Sequence, residues 1–237
     1  PTTQAPPGLC DLTSLQREAN GRFGYSAKTT LALAQSLYER HKALTYPRTD
    51  SRHLPQDYVK VVHDTMGMLA DSAMRHLAPF AAQAVKEGYV KPIKRVFDDS
   101  KVSDHFAIIP TLQAPSGLSE AEQKLYDLVV RRFLAVFFPS AEYLVTTRIS
   151  QAVGHHFKTE GKVLVKPGWL AIYGREAQGD EANLVAVAKD EKVKTDKVES
   201  VGLTTKPPAR YNEASLLSAM EGAGKLVDDD ALREAMA

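Results

Sequence analysis

The sequence predicts an α+β fold, in which helices come first, short strands follow and a further helix begins near the end. Up to residue 139, apolar residues recur at helical spacing. After that point the segments are short, β-branched and punctuated by glycines, and from residue 208 a helical pattern returns. Helices and strands that are segregated in this way along a chain indicate an α+β arrangement.

Two helices are predicted before residue 43. Asp11 is a candidate N-cap for the first, DLTSLQREANGRFG, and Ser26 for the second, YSAKTTLALAQSLYERHKA. Side chains of both types accept a hydrogen bond from an N–H of the first helical turn. An extended run from Ala43 to Tyr46 follows, because Pro47 disfavours helical backbone at the residue before it.

Two more helices are predicted before residue 139. Pro55 suits the first helical position of LPQDYVKVVHDTMGMLA, which carries an apolar face. Ser119 and Glu122 have the capping-box spacing at the start of LSEAEQKLYDLVVRRFLAVFF, which runs to Pro139.

The strands are predicted after Pro139, in an antiparallel sheet or barrel. The segments are EYLVTTRISQAVG, HHFKTEGKVLV, GWLAIYG, NLVAVA and EKVKTDKVESVGLTT. The helix that follows them has Asn212 as its candidate N-cap.

The composition of the 237 residues limits the classes of function. With 30 basic and 29 acidic residues the net charge is +1, so any basic surface for nucleic acid must be local. Cys10 is the single cysteine, which excludes an intrachain disulfide and suits a reducing compartment. We see neither a signal peptide nor an apolar run of membrane-spanning length, and we expect a cytoplasmic protein.

The segment TYPRTDS, residues 45–51, combines a nucleophile with a cation. A free tyrosine has a pKa of about 10, so Tyr46 needs neighbouring cations or a base before it attacks phosphorus. Residues i and i+2 of an extended segment point to the same side, so Tyr46 and Arg48 can reach one phosphate. Asp50, two residues further, is placed to orient Arg48 or to hold a hydroxyl. The ordinary alternative is a tyrosine at a strand end that leads into a polar loop.

Two later segments also offer groups for phosphate chemistry. His105 in SDHFAIIPT precedes an apolar run and can donate to a phosphate oxygen or relay a proton. Lys206 and Arg210 precede the late helix, where cations and a helix N-terminus suit phosphates. Taken singly, these two segments are better explained by a histidine that caps or fills and by an ordinary linker into a helix.

Together these segments resemble type IA DNA topoisomerases, and the topoisomerase III branch more than topoisomerase I. LTYPRTDSRHLP resembles the family's active-site tyrosine motif, SDHFAIIPT its histidine motif and PPARYNEASLLSAMEGAGK a later motif. DLTSLQREANGRFGYSAKTTLALAQSLYE resembles the helices before the tyrosine. The order and spacing of the motifs agree over nearly the whole chain, which makes the resemblance more specific than any single motif.

The resemblance implies that Tyr46 attacks a phosphate of single-stranded DNA and becomes linked to its 5′ side, freeing a 3′-hydroxyl. Arg48 would position the phosphate and stabilise its charge, and His105 would assist there. Asp50 is a lesser candidate. The phosphotyrosine bond conserves the energy of the broken bond, so resealing would need no ATP. Further DNA-binding candidates are Gln16, Arg17 and Arg210, with Lys91, Lys94 and Arg95 as possible contacts to the DNA backbone.

The resemblance also implies a domain organisation. We expect a winged-helix-like helical domain over residues 1–139 with the tyrosine, a partial β-rich gate or hinge domain over 140–207, and the start of a helical DNA-binding domain over 208–237. The family places a metal-binding Toprim domain with a DxDxE cluster before this region. We therefore expect a central fragment that is inactive alone and whose partners are DNA and the other domains of its full-length chain, at the nucleoid.

Mg²⁺ is the implied cofactor, bound by that Toprim domain and by no residue of this chain. Asp228 and Asp230 have part of the DxDxE spacing, but Leu232 stands where a glutamate is needed. We thus predict no metal ligand here.

Two other functions remain open from the sequence. A tyrosine recombinase would need several arginines and a histidine before a late tyrosine, whereas Tyr46 comes early. The other alternative is a non-enzymatic winged-helix DNA-binding module whose tyrosine is incidental.

Overall fold

The computed structural model describes residues 1–174, 184 and 187–223, and within them it combines helices with one small sheet. The helices are α1 (Leu12–Phe23), α2 (Ala27–Glu39), α3 (Val59–Ala70), α4 (Ala78–Lys86), α5 (Glu120–Phe137), α6 (Leu170–Tyr173) and α7 (Glu213–Glu221). The strands are β1 (Thr2–Gln4), β2 (Ala141–Ala152) and β3 (His155–Lys166). Short 3₁₀ turns cover Gln56–Tyr58 and Asp99–Lys101.

Helix α5 lies in the middle of the helical part. It is buried on nearly every side from Leu125 to Phe137, and it packs against α1, α2, α4 and α6. A helix that is apolar all round is stable only when other elements cover it. The side chains that cover it include Leu15, Leu37, Met66 and Phe97, each at most 2% exposed.

The predicted helix starts are confirmed where local capping chemistry sets them. Asp11, Ser26, Ser119 and Asn212 are N-caps, each accepting from an N–H of the first turn. Pro55 differs slightly from the prediction, because it precedes a 3₁₀ turn that leads into α3 rather than standing inside the helix. Helix α4 was not predicted.

Strands β2 and β3 form a long antiparallel hairpin, with β1 on the other edge of β2. The two-residue turn at Val153 and Gly154 has positive φ at both positions, as tight hairpin turns require. Apart from Gly161, the buried residues of the hairpin lie at its inner end, where Ala141 and Tyr143 pack with Leu170. The sheet thus joins the helical part through one end.

Two predicted strands are wrong. GWLAIYG contains the short helix α6, because its Leu170 and Ile172 are pulled into the core while the Trp169 N–H donates to the Pro139 carbonyl over 3.0 Å. EKVKTDKVESVGLTT is exposed throughout and forms no strand in the described chain, since no neighbouring strand pairs with its backbone there. NLVAVA lies largely outside the described residues.

Within the described residues, no helix has the length and apolarity needed to cross a membrane.

Candidate active site

Two chain segments that are distant in the sequence run side by side at the site. The Thr45 N–H donates to the Ile109 carbonyl and the Thr111 N–H to the Ala43 carbonyl, both over 3.0 Å. The Thr45 hydroxyl donates to the Ala107 carbonyl over 3.0 Å and accepts from the Ile109 N–H over 2.9 Å. These bonds fix the tyrosine segment against the histidine segment.

Buried hydroxyls continue this pairing beyond Tyr46. The Thr49 hydroxyl donates to the His105 carbonyl over 3.1 Å, and the Ser51 hydroxyl donates to the Lys101 carbonyl over 2.7 Å. Along this segment exposed and buried residues alternate: Arg48 and Asp50 are exposed, whereas Thr49 and Ser51 are buried. This alternation agrees with the predicted extended backbone and presents Arg48 and Asp50 outward.

The ring of Tyr46 contacts two other rings. Its centroid is 4.3 Å from that of His105, and 5.4 Å from that of Tyr38 on α2 in an edge-on arrangement. The phenol ring of Tyr46 is thus packed against a ring from the histidine segment and a ring from α2. The predicted proximity of Tyr46 and His105 is therefore a feature of the structure.

A cleft of ≈ 620 Å³ opens beside these rings. Arg48, Asp50 and His105 line it, so three of the predicted site residues meet there. Tyr46 is not among the residues that line the cleft, but its ring contacts that of His105. The other residues that line the cleft are Asp11, Leu12, Thr13, Thr49, Ser103, Asp104 and Glu221. Asp50 accepts from the Ser103 hydroxyl over 3.4 Å.

The remaining predicted DNA contacts have different surroundings. Gln16 is buried, and its amide donates to the Ala27 carbonyl over 3.0 Å, which makes it part of the α1–α2 junction. Arg17 is paired with Glu221 of α7 over 2.6 Å. Arg210 is exposed in the segment that leads to α7. Gln16, Arg17 and Arg210 thus stay predictions, and among them Gln16 would have to leave its present contact to reach DNA.

The basic residues after α4 also divide into two kinds. Lys91 and Lys94 are exposed. Arg95 donates to the carbonyls of Pro6 over 3.0 Å and Val136 over 2.8 Å, and burial lowers its pKa. Arg95 therefore ties the N-terminal segment to the end of α5 in this structure.

Sequence reasoning did not single out two residues that contact the candidate site or the residues that line its cleft, Arg52 and Tyr38. Arg52 continues the outward series after Asp50, and its guanidinium contacts Asp11 over 2.7 Å and Glu221 over 3.5 Å. Its two-residue spacing from Asp50 was the available signal. Tyr38 carries no such signal, because its apolar spacing on α2 is that of any core residue.

Neither Cys10 nor the described acidic residues offer a second kind of reactive site. Burial raises the pKa of the Cys10 thiol to about 12, so it stays protonated and is unsuited to nucleophilic attack. No group of three or more His, Cys, Asp or Glu residues in the described chain is arranged to hold a metal ion. Asp228 and Asp230 lie outside the described residues.

Sequence comparisons connect this cleft with known proteins. A family model described as DNA topoisomerase matches residues 1–224. The protein named DNA topoisomerase 3 from Bacillus subtilis (strain 168) is 44% identical over 223 residues, which are 91% of this chain and 30% of that protein. The protein of the same name from Shouchella clausii (strain KSM-K16) is 47% identical over the same shares. The chain spans about 30% of the length of these relatives.

A solved structure has a similar fold. Full-length topoisomerase I from Thermotoga maritima superposes with a TM-score of 0.60 at 24% identity, covering 94% of this chain and 36% of that one. This likeness supports the mixed helix-and-sheet fold.

Proposed function

This chain belongs to the DNA topoisomerase family as a topoisomerase III-like member of type IA, and from that premise we propose that Tyr46 is the nucleophile of a DNA strand-passage enzyme. The enzyme would cleave and reseal single-stranded DNA, and so relax or decatenate DNA without ATP. One observation carries the proposal. The ring of Tyr46 is held against His105, whose side chain lines the same cleft as Arg48.

The proposed reaction is a transesterification. The phenolic oxygen of Tyr46 forms a bond to phosphorus, and the bond from phosphorus to the 3′ oxygen breaks. The tyrosine loses its proton, and the leaving 3′ oxygen gains one. The 5′ phosphate stays on the protein, and attack by the 3′-hydroxyl reverses each change to reseal the strand.

Arg48 and His105 have complementary tasks in this step. Arg48 is permanently charged and offers a planar fork of donors, which suits the oxygens of the phosphate as negative charge develops. His105 lies within ring contact of the phenol and is exposed to the cleft, which suits a donor to the phosphate or a proton relay. Asp50 orients the polar groups beside Arg48. Positioning and electrostatics would supply most of the acceleration.

Mg²⁺ would be held by a Toprim domain outside this chain and would supply further charge stabilisation at the phosphate. The described residues offer no cluster of ligands that fits the ion. The partners of this chain are then single-stranded DNA and the other domains of its full-length protein, in the cytoplasm at the nucleoid.

The domain organisation is part of the proposal. Residues 1–139 would form a winged-helix-like domain, 140–207 part of a gate or hinge domain, and 208–237 the start of a helical DNA-binding domain. The attachment of the β2–β3 hairpin through its buried inner end alone supports a boundary near residue 140.

Covalent trapping tests the nucleophile. The chain is combined with a separately produced Toprim domain, Mg²⁺ and a single-stranded oligonucleotide labelled at its 3′ end, because the 3′ portion stays on the tyrosine. After denaturation we expect label on the wild-type chain and none on Tyr46→Phe. Without the Toprim domain we expect no label.

Tyr89→Phe is the matched control, since Tyr89 packs against Phe138 away from the cleft, and it should label like wild type. Equal labelling of Tyr46→Phe would refute the assignment. DNA binding with no labelling of any variant would instead favour the non-enzymatic DNA-binding module.

A further inference from the structure

Helix α7 closes one side of the cleft through a single carboxylate. Glu221, at its last turn, lies 2.6 Å from the Arg17 guanidinium and 3.5 Å from that of Arg52. Arg17 also donates to the Ser218 hydroxyl over 3.2 Å. The carboxylate therefore bridges two arginines that come from different parts of the chain, one on α1 and one within the tyrosine motif LTYPRTDSRHLP.

The N-terminal end of α7 is held by two hydrogen bonds that backbone N–H groups donate. Glu213 accepts from the Ala27 N–H, and the Asn20 amide oxygen accepts from the Ala214 N–H over 3.3 Å. The helix is thus attached to α1 and to the first residue of α2 at its start, and to Arg17 of α1 and Arg52 at its end. Glu221, which bridges the two arginines, is the residue of α7 that lines the cleft.

The charges of the cleft make this bridge unusual for a DNA-binding surface. Arg48 is the arginine that lines the cleft, whereas Asp11, Asp50, Asp104 and Glu221 all contribute carboxylates. A DNA strand that approached Arg48 would meet this excess of negative charge, while the two arginines beside it are engaged by Glu221. Repulsion of like charges would weaken binding.

We propose that Arg17 and Arg52 form a second phosphate-binding subsite for single-stranded DNA, and that Glu221 occupies it until the DNA backbone displaces the carboxylate. The inference rests on the proposed function, since it requires that this chain binds DNA. An arginine fork binds carboxylate and phosphate in the same way, so one anion exchanges for the other without rebuilding the site.

The geometry supports two phosphates rather than one. Arg52 follows Arg48 by four residues along an extended segment, which corresponds to about 13 Å. At that separation the two side chains reach different phosphates of one strand. Asp11 contacts Nε of Arg52, which leaves the remaining N–H groups for the exchange.

The exposure of Glu221 and Arg52 to solvent favours displacement of the carboxylate by DNA. The side chain of Glu221 is 47% exposed and that of Arg52 is 39% exposed. Ion pairs this accessible to water contribute little to stability, so breaking the bridge has a low cost. A purely structural ion pair has no need to lie on the rim of the cleft.

Glu221→Gln is the first test, with the affinity for a single-stranded oligonucleotide measured by fluorescence anisotropy at low salt. We expect the variant to bind roughly fivefold more tightly than wild type, within the usual range of coupling between two competing interactions. Glu199→Gln is the matched control, because it removes the same charge from an exposed residue paired with Lys197. It should leave the affinity close to that of wild type.

The arginines are tested in the same assay. Arg52→Gln should weaken binding and reduce the slope of log affinity against log salt by about 0.7, the value for one phosphate contact on a single strand. In an Arg17→Gln/Arg52→Gln background, Glu221→Gln should lose most of its gain in affinity, because only the relief of charge repulsion remains. Addition of DNA to wild type should speed hydrogen exchange of the α7 amides, which a purely structural contact would not do.

The outcomes separate this inference from the function on which it rests. If wild type binds DNA and Glu221→Gln binds equally or more weakly, the subsite is refuted and the nucleophile proposal is unaffected. A gain of the same size without both arginines also refutes it. If neither wild type nor any variant binds DNA, the proposed function and the subsite fail together.

Discussion

At the scale of single residues, Glu122 connects two helices with one carboxylate. It closes the capping box of α5, accepting from the Ser119 N–H over 2.8 Å, and it also accepts from the Ser36 hydroxyl of α2 over 2.6 Å. The bond from Ser36 and those from Ser119 hold its pKa at about 2. His41 lies 3.3 Å away and favours the charged form as well. The ionised carboxylate is thus part of the folded state.

Glu122→Gln should lower the free energy of unfolding by roughly 1–3 kcal/mol at pH 7, because hydrogen bonds to a buried charge are replaced by weaker ones. The folded-state pKa is depressed below the ordinary 4.5, so this stabilisation is present above about pH 4.5 and is lost as the pH falls towards 2. Urea unfolding of wild type and Glu122→Gln at several pH values measures this difference in the free energy of unfolding.

The control for this prediction is Glu120→Gln on the same helical turn. Glu120 is exposed and pairs only with Lys124 four residues later among its described contacts, so its loss should change stability little at any pH. A Glu122→Gln difference that stayed constant between pH 7 and pH 2 would contradict the assigned cause.

In the candidate site, some residues could be predicted from the sequence and others could not. The sequence predicted Tyr46, Arg48 and His105 as site residues, because candidates for nucleophile, cation and base are recognisable by type and by motif. It did not identify Tyr38 or Arg52. Their importance depends on which ring and which carboxylate they meet, and those partners come from other elements.

At the scale of elements, Gly168 sets how the hairpin returns to the helices. It has a φ of +50°, and a Cβ there would lie 2.4 Å from the Pro139 carbonyl oxygen and 2.6 Å from that of Ser140. The chain enters β2 past these same carbonyls, and the Trp169 N–H donates to that of Pro139. Close approach of two backbones at this junction therefore requires glycine.

Gly168→Ala should destabilise the protein by about 2–4 kcal/mol, because both backbone strain and a clash with main-chain atoms must be relieved. Gly154→Ala is the matched control. Its φ is +80°, but nothing lies within 4 Å of its Cβ position, so strain alone should cost about 1–2 kcal/mol. Thermal unfolding compares the two variants. Equal losses would show that the close approach at Pro139 is unimportant.

The same junction explains an error in the sequence analysis. The period of GWLAIYG fits a strand as well as one helical turn, so its pattern is ambiguous. Packing of Leu170 and Ile172 into the core decided between them. By contrast, the starts of α1, α2, α5 and α7 were predicted correctly, because a cap is an interaction within three residues.

At the scale of the whole molecule, the packed helices contrast with an open segment. Every residue from 187 to 213 is exposed, whereas α1 to α5 share one apolar core. Segments with few buried contacts open at little cost in free energy and are the first to be cut by proteases.

Limited trypsin digestion under native conditions should therefore cut at lysines of the open segment, such as Lys192, Lys194 and Lys197, before any site in α1 to α5. Mass spectrometry of the early fragments identifies the cuts. Arg131 and Arg132 in α5 are the internal control and should resist cleavage until the protein unfolds. Early cleavage in α5 would contradict a stable helical core.

The sequence by itself determined the chemical groups, most helix starts and the order of helices before strands. These properties depend on residue type and on interactions between near neighbours. Only the tertiary structure decided which distant groups meet. It brought His105 onto Tyr46, Glu221 between Arg17 and Arg52, and Ser36 onto Glu122. Such contacts depend on how whole helices pack around a shared core, and no local pattern along the chain specifies that packing.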